Sequence, residues 1–387
     1  MNSSLIKNHF ILNQKKRNQF CSSLLGDWEV LALPTEKDES YRKFPISSID
    51  WNELGFDPKL KNDHYEGQTD DSANPLVSED TLDVILNLVK HHLPKDYFTY
   101  VSVLFAREIQ IVVCEDGTND VYRSLLGDDA RSLVRIFYVP RGYTSQIKLY
   151  TETKHDTERL HLQTIFDVFV SEGDSHVEIL DEENCDEDLI QFRSVLVLTK
   201  ENASVKLHHF PFGGFRSKLF LHSHLLGKGA EVTIDGVSAL SKRNLKDLDM
   251  EMIHHADHTT SKISYKTIVT DRSHHIFTGN LIIPPNLKKV VAHQESFNLS
   301  LNKKARAEAN PKLEVLAEDV SCTHGATVGD IDEEQYFYLL SRGLSPEESK
   351  SLLVTAFYGE TIQRIGFSDQ IKEGLESTIH GLLVGGK

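Results

Sequence analysis

The chain has 387 residues, room for two or three domains of ordinary size, and its 42 basic and 58 acidic side chains leave a net charge of −16. That balance excludes a protein built to grip nucleic acid or an acidic membrane surface, since both need clustered positive charge. Hydrophobic residues make up 39% of the chain, and no run approaches the roughly 18 apolar residues that span a bilayer.

The first twenty residues carry Lys7, Lys15, Lys16 and Arg17 with no acid and no continuous apolar core. They predict the start of a basic amphipathic helix, with an organelle transit peptide as the lesser alternative and no secretory signal. Leu33-Pro34-Thr35 and the charged run 36–39 predict a surface turn, and residues 55–80, rich in Asp, Asn, Gly and Ser, an irregular linker. From Ser78 or Asp80 onward, Leu82, Ile85, Leu86 and Val89 recur at helical spacing, which predicts a helix with one buried face, ending before Pro94. Past residue 97 the period changes. Phe98, Tyr100, Ser102 and Leu104 predict one face of an extended segment, and 109–114 is a β-rich apolar run.

From there to about residue 320 the chain reads as short alternating strands and repeats itself. Ile147, Val177, Val205 and Val232 recur at spacings of 30, 28 and 27 residues, each after a turn at Gly142, Gly173, Asn202 or Gly229, and Ser261-Lys262-Ile263 offers a fifth copy. A period of this size built from strands predicts a β-helical solenoid, each coil stacking on the last. The competing reading is a meandering sandwich. A solenoid has an open end that needs a cap, and the C-terminus offers helices for it. Asp330 or Asp332 caps a first helix ending at Gly343. Ser345-Pro346-Glu347-Glu348 opens a second by a capping box, with Leu352, Leu353, Ala356 and Phe357 as its apolar face. The expected divisions are a mainly helical region over 1–96, the β-helix over 97–325 and a helical region over 326–387.

No phosphate-binding loop, nucleophile elbow or H-E-x-x-H helix occurs, so neither a nucleotide site nor a catalytic motif is expected. Cys21, Cys114, Cys185 and Cys322 are too dispersed for a disulfide framework, which predicts a reducing, cytoplasmic setting. His222 and His224, at i and i+2 of a strand, share a face and could chelate a metal together, or line a solvent-facing ladder. The neighbours His254 and His255 point to opposite faces and cannot both serve one site. Cys322 and His324 likewise fall on one side of an extended segment, a thiolate and an imidazole suited to a soft metal. The alternative is a buried, inert cysteine beside a turn histidine.

The stretch ARAEANPKLEVLAEDVSCTHGATVG (305–329) with YFYLLSRG (336–343), together with LPTEKDESYR (33–42), HHADHTTSKISYK (254–266) and VTDRSHHIFTGN (269–280), resembles the SufB/SufD family of iron–sulfur cluster assembly proteins, its SufD branch more than its SufB branch. The resemblance covers most of the chain and is densest over 250–365. It implies a right-handed parallel β-helix flanked by helical regions, and a cytoplasmic, non-catalytic role in a complex with a SufB-like paralogue and the ABC-type ATPase SufC. A homodimer of the isolated chain is left open by it. It implies that the C-terminal helices dock the ATPase, for which Tyr338, Arg342, Leu353 and Phe357 are the candidate contacts. It implies that Cys322 and His324 stand at the SufB interface beside a transient cluster shared with SufB. Here Thr323 replaces the usual Ser of the motif, and LKKVVAH (287–293) lacks the family's Ala-Gln start, although Gln294 and Asn298 are kept. The rival class is a β-helical enzyme acting on acidic polysaccharides, against which the net charge of −16 argues.

Overall fold

Strands with alternate apolar residues can bury one face only by stacking coil on coil, and the protein does so. Its computed structural model describes residues 9–24, 32–51, 54, 77–106, 108–126, 132–153 and 160–384. Most of the linker expected at 55–80 lies outside those residues. One parallel sheet joins β2 (Ile109–Val113), β4 (Ser132–Val139), β6 (His161–Ser171), β8 (Leu189–Thr199), β10 (Arg216–Leu225), β12 (Leu245–His254), β14 (His274–Ile283) and β16 (Arg306–Val315) in that order. The other joins β3 (Thr118–Leu126), β5 (Thr144–Thr153), β7 (His176–Cys185), β9 (Ser204–Gly213), β11 (Glu231–Leu240), β13 (Thr260–Val269), β15 (Lys288–Ser300) and β17 (Asp319–Asp330). Successive strands alternate between the sheets, so the chain winds as a parallel β-solenoid of about seven turns.

The sequence repeat maps onto these coils. Val177, Val205 and Val232 stack in one interior column and continue to Ser261. Ile147 is displaced: Ser145 lies opposite Val177, and Ile147 stacks on Ile179 instead. A two-residue slip keeps every side chain on its own face, so alternation alone does not reveal it. The corners also stack. Gly142, Asp174, Asn202, Gly229 and His258 all adopt positive φ, and the N–H of each of the first four bonds to a carbonyl of the next turn: Gly173, Glu201, Lys228 and Asp257.

Helices cover the outer faces. On the even-numbered sheet lie α1 (Gln14–Ser22), α2 (Glu79–His92) and α3 (Tyr97–Phe105). The Ser78 hydroxyl caps α2 by accepting from the Thr81 N–H, and Leu82, Ile85, Leu86 and Val89 are its buried face, as the spacing predicts. The segment 98–104, expected to be extended, is helical. The Asp96 carboxylate accepts from the Phe98 and Thr99 N–H groups and starts a turn there, and Tyr97 to Val103 are buried all round. Tertiary packing overrides the β-leaning residue types.

At the C-terminus α4 (Glu333–Ser341), capped by Asp332, leads into α5 (Pro346–Gln363), whose capping box joins Ser345 and Glu348 as expected, and then into α6 (Asp369–Val384). These helices do not cap the end of the solenoid. Val354, Tyr358, Ile362 and Ile365 pack sideways on Leu180, Phe210, Phe212, Val237 and Ile268, on the outer face of the odd-numbered sheet. The buried face of α5 therefore differs from the expected one: Leu352 is exposed and Leu353 and Phe357 are half-buried. Among the described residues no helix is long and apolar enough to cross a membrane.

Candidate functional site at the open end of the solenoid

With the helices at its side, no described residue covers the last coil. β16 and β17 are terminal strands of their sheets, each paired along one edge only. Unpaired edges of this kind are templates for another chain. Leu316 and Val328 at this end are 71% and 56% exposed.

Cys322 and His324 lie on β17. Cys322 stacks in register on Ala292 and His324 on Gln294, and these continue inner columns through Ser261 and Ile263. Both residues thus belong to the inward-pointing set of a coil that nothing covers among the described residues. Cys322 is half-buried against the apolar interior, and burial pushes its thiol upward. His324 is exposed. Gln294 beneath it is fully buried, with its amide N–H directed at the Gly279 carbonyl at 3.3 Å. It fits only because residue 279 lacks a side chain, since a Cβ there would stand 2.5 Å from the Gln294 amide nitrogen. The outward-facing Thr323 bonds to His293. The other cysteines offer little: Cys114 and Cys185 are buried, and desolvation pushes both thiols up to about 12. A thiol so raised is neither a nucleophile nor a ready ligand. One thiol and one imidazole are half of a four-ligand set.

The histidine-rich strands divide as alternation requires. His254 points inward and bonds to Thr259 and Ser261, and His255 points out. His222 and His224 share the outer face of β10 but take different partners, Glu251 at 3.2 Å for His222 and His255 at 2.9 Å for His224. Inside the solenoid, Asp181, Glu183 and His209 converge as a potential ligand set. Arg193 fills that place. Its guanidinium bonds to Glu183, stands 2.9 Å from Asp181, and reaches Asp167 at 2.7 Å, where Arg135 adds a second cation at 2.6 Å. Burial opposes that charge, but the carboxylates hold the Arg193 pKa well above its ordinary value.

The expected partner contacts separate into two kinds. Tyr338 on α4 and Arg342 at its C-terminal cap are exposed, with the guanidinium 5.0 Å from the ring centre. Phe357 is tied inward: its carbonyl accepts from Lys266 at 2.6 Å and its ring lies near the same ammonium. Phe337 on α4 is 71% exposed, and Leu352 on α5 is 48% exposed. Their signal was the apolar character of these helices on more than one side.

The family model described as the SUF-system FeS cluster assembly SufBD core domain matches residues 127–357, more than half of the chain. The iron–sulfur cluster assembly protein SufD of Escherichia coli K12 is 30% identical over 190 residues, 49% of this chain and 45% of that protein. A SufBD-family iron–sulfur cluster assembly protein of Synechocystis is 32% identical over 129 residues, 33% of this chain and 28% of that protein. One of Staphylococcus saprophyticus is 27% identical over 207 residues, 54% and 44%. The matched segments span less than half the length of each relative.

Proposed function

This chain belongs to the SufBD family of iron–sulfur cluster assembly proteins, and on that premise we propose that it is the SufD-type, non-ATPase subunit of a cytoplasmic complex with a SufB-type paralogue and a SufC-type ATPase. The observation that carries the proposal is the uncovered last coil, which presents Cys322 and His324 between two unpaired strand edges. A second solenoid meeting those edges would add the missing ligands and close the coil. A nascent cluster, the cargo of the complex, would then lie between the chains, with His324 as the ligand or shield from this side and Cys322 as a thiol activated only once a metal ion displaces its proton. The scarcity of usable thiols fits the SufD role better than that of the scaffold.

The link to the ATPase is short. β17 ends at Asp330 and α4 begins at Glu333, so a pull on α4 acts on the strand that carries both residues. Tyr338, Arg342 and the newly found Phe337 are the contacts we assign to the ATPase. Leu353 and Phe357, half-buried on α5, are not among them.

Co-expression with the two partners, then size exclusion and anaerobic absorbance spectra, tests the complex. Deleting the C-terminal helices would bare Phe210, Phe212 and Val237, so docking is tested instead with Phe337→Glu/Tyr338→Glu. The pair should abolish ATPase association while moving stability by about 0.5 kcal/mol or less, as expected for exposed side chains. Undiminished association would refute the assignment.

A further inference from the structure

Three histidines from distant parts of the chain meet on the outer face of the even-numbered sheet, away from the last coil. His92 closes α2, His224 lies near the end of β10, and His255 follows the end of β12 on the next coil. One ring nitrogen from each lies within 4.8 Å of the other two. His224 Nδ1 and His255 Nε2 are 2.9 Å apart, and the rings of His92 and His224 meet edge to face at 4.7 Å between centres. From these contacts we infer that His92, His224 and His255 form a binding site for a divalent transition-metal ion of the Zn2+ class, tying α2 to two adjacent coils.

Four features favour a metal over a plain histidine stack. His92 Nδ1 lies 2.9 Å from the Leu88 carbonyl. It donates there, which leaves Nε2 with a free lone pair and fixes the ring, the arrangement usual for a ligating histidine. Burial also disfavours the charged form of the rings. Desolvation lowers the pKa of all three, that of His224 to about 3, with repulsion among the imidazoles as a further cause. Neutral imidazole is the ligating form. The short contact between His224 and His255 holds one proton between two nitrogens. A metal ion needs both lone pairs, so that proton moves to the other nitrogen of its own ring, with no net release. Their spacing then opens to about 3.3 Å, as for neighbouring ligands at roughly 2.0–2.1 Å on a tetrahedral ion. Finally, the site stands at the C-terminal end of α2, whose last carbonyls favour a cation. Three histidines leave a fourth position, and exposed His255 leaves it facing water.

The other three-ligand grouping, Asp181, Glu183 and His209, already holds Arg193. Among the described residues the histidine grouping has no such internal cation.

The test uses the full chain, stripped of metal by a chelator, with Zn2+ titrated against a chromophoric competitor and Co2+ as a spectroscopic probe. One equivalent of Zn2+ should bind, and Co2+ should give the intense visible bands of a four-coordinate ion. His255→Ala removes an exposed side chain and should leave the fold intact by circular dichroism, yet weaken Zn2+ binding at least about tenfold. His92→Gln should do the same and abolish the rise in melting temperature that Zn2+ gives the parent chain. Cys322→Ser/His324→Ala should keep the full equivalent, which separates this site from the one at the open end. The inference is overturned if the parent chain binds no Zn2+ at micromolar concentration. It is equally overturned if His255→Ala binds as tightly as the parent, or if the equivalent is lost in Cys322→Ser/His324→Ala.

Discussion

At the start of the solenoid the even-numbered sheet is closed by β1 (His9–Ile11), three residues that pair antiparallel with β2, and Leu12 follows them into the core beneath α1 and α2; at its finish β16 and β17 are left with bare edges, and Leu316 and Val328 face water. A short antiparallel strand is an ordinary way to blunt an edge. The same chain leaves its other end unblunted, and there it places Cys322 and His324. Apolar burial at the first end goes into stability of the single chain, whereas apolar surface at the last end is available to a partner.

The largest effect lies between the two ends, where the interior is ionic. Arg193→Leu strands Asp181 and Glu183 in a buried setting, leaving Asp167 to Arg135 alone, and should cost about 3–5 kcal/mol, read by denaturant unfolding. A loss under 1 kcal/mol would mean that the interior is wetter than the packing implies.

The comparison itself is sharpened by a matched pair. Leu12 is 1% exposed and its N–H donates to the Ile109 carbonyl at 2.9 Å. Leu12→Ala should cost about 2–5 kcal/mol, and Leu316→Ala about 0.5 kcal/mol or less while weakening association with the paralogue. Equal costs in the isolated chain would remove the distinction between the ends.

A smaller, pH-dependent effect concerns the helices at the side. Glu178 accepts from the Gly366 N–H and Gln146, both at 2.8 Å, and pairs with His208 at 2.9 Å. Burial alone would raise its pKa, but these partners bring it down to about 2 from its ordinary 4.5. The folded state therefore favours the carboxylate. Its contribution is present above about pH 4.5 and fades as pH falls toward 2. Glu178→Gln should be less stable than the parent at neutral pH, and the gap should shrink over that window. A gap that stays constant down to pH 2 would exclude this carboxylate as its source.

Much of this architecture was legible in the sequence because it is local or periodic. Ser78 and the spacing from Leu82 to Val89 define α2, Ser345 and Glu348 define the start of α5, and the Val177–Val205–Val232 column is a visible repeat. What escaped depends on long-range packing. The Tyr97–Phe105 segment is helical because Tyr97 to Val103 are enclosed on every side, the C-terminal helices turn sideways because Leu180, Phe210 and Phe212 offer them an apolar face, and His92 meets His224 across a chain distance no spacing rule covers. At the candidate site the pairing of Cys322 with His324 followed from alternation. That both point inward at an uncovered coil required the register of β15 and β17.

The central claim is that the last coil gives His324 to a cluster rather than to its own fold, and one variant addresses it. His324→Ala should leave the melting temperature and complex formation unchanged, because the side chain is exposed, while lowering the cluster formed per folded complex on anaerobic reconstitution. A destabilised variant whose complex assembles clusters at the parent's yield would contradict the account.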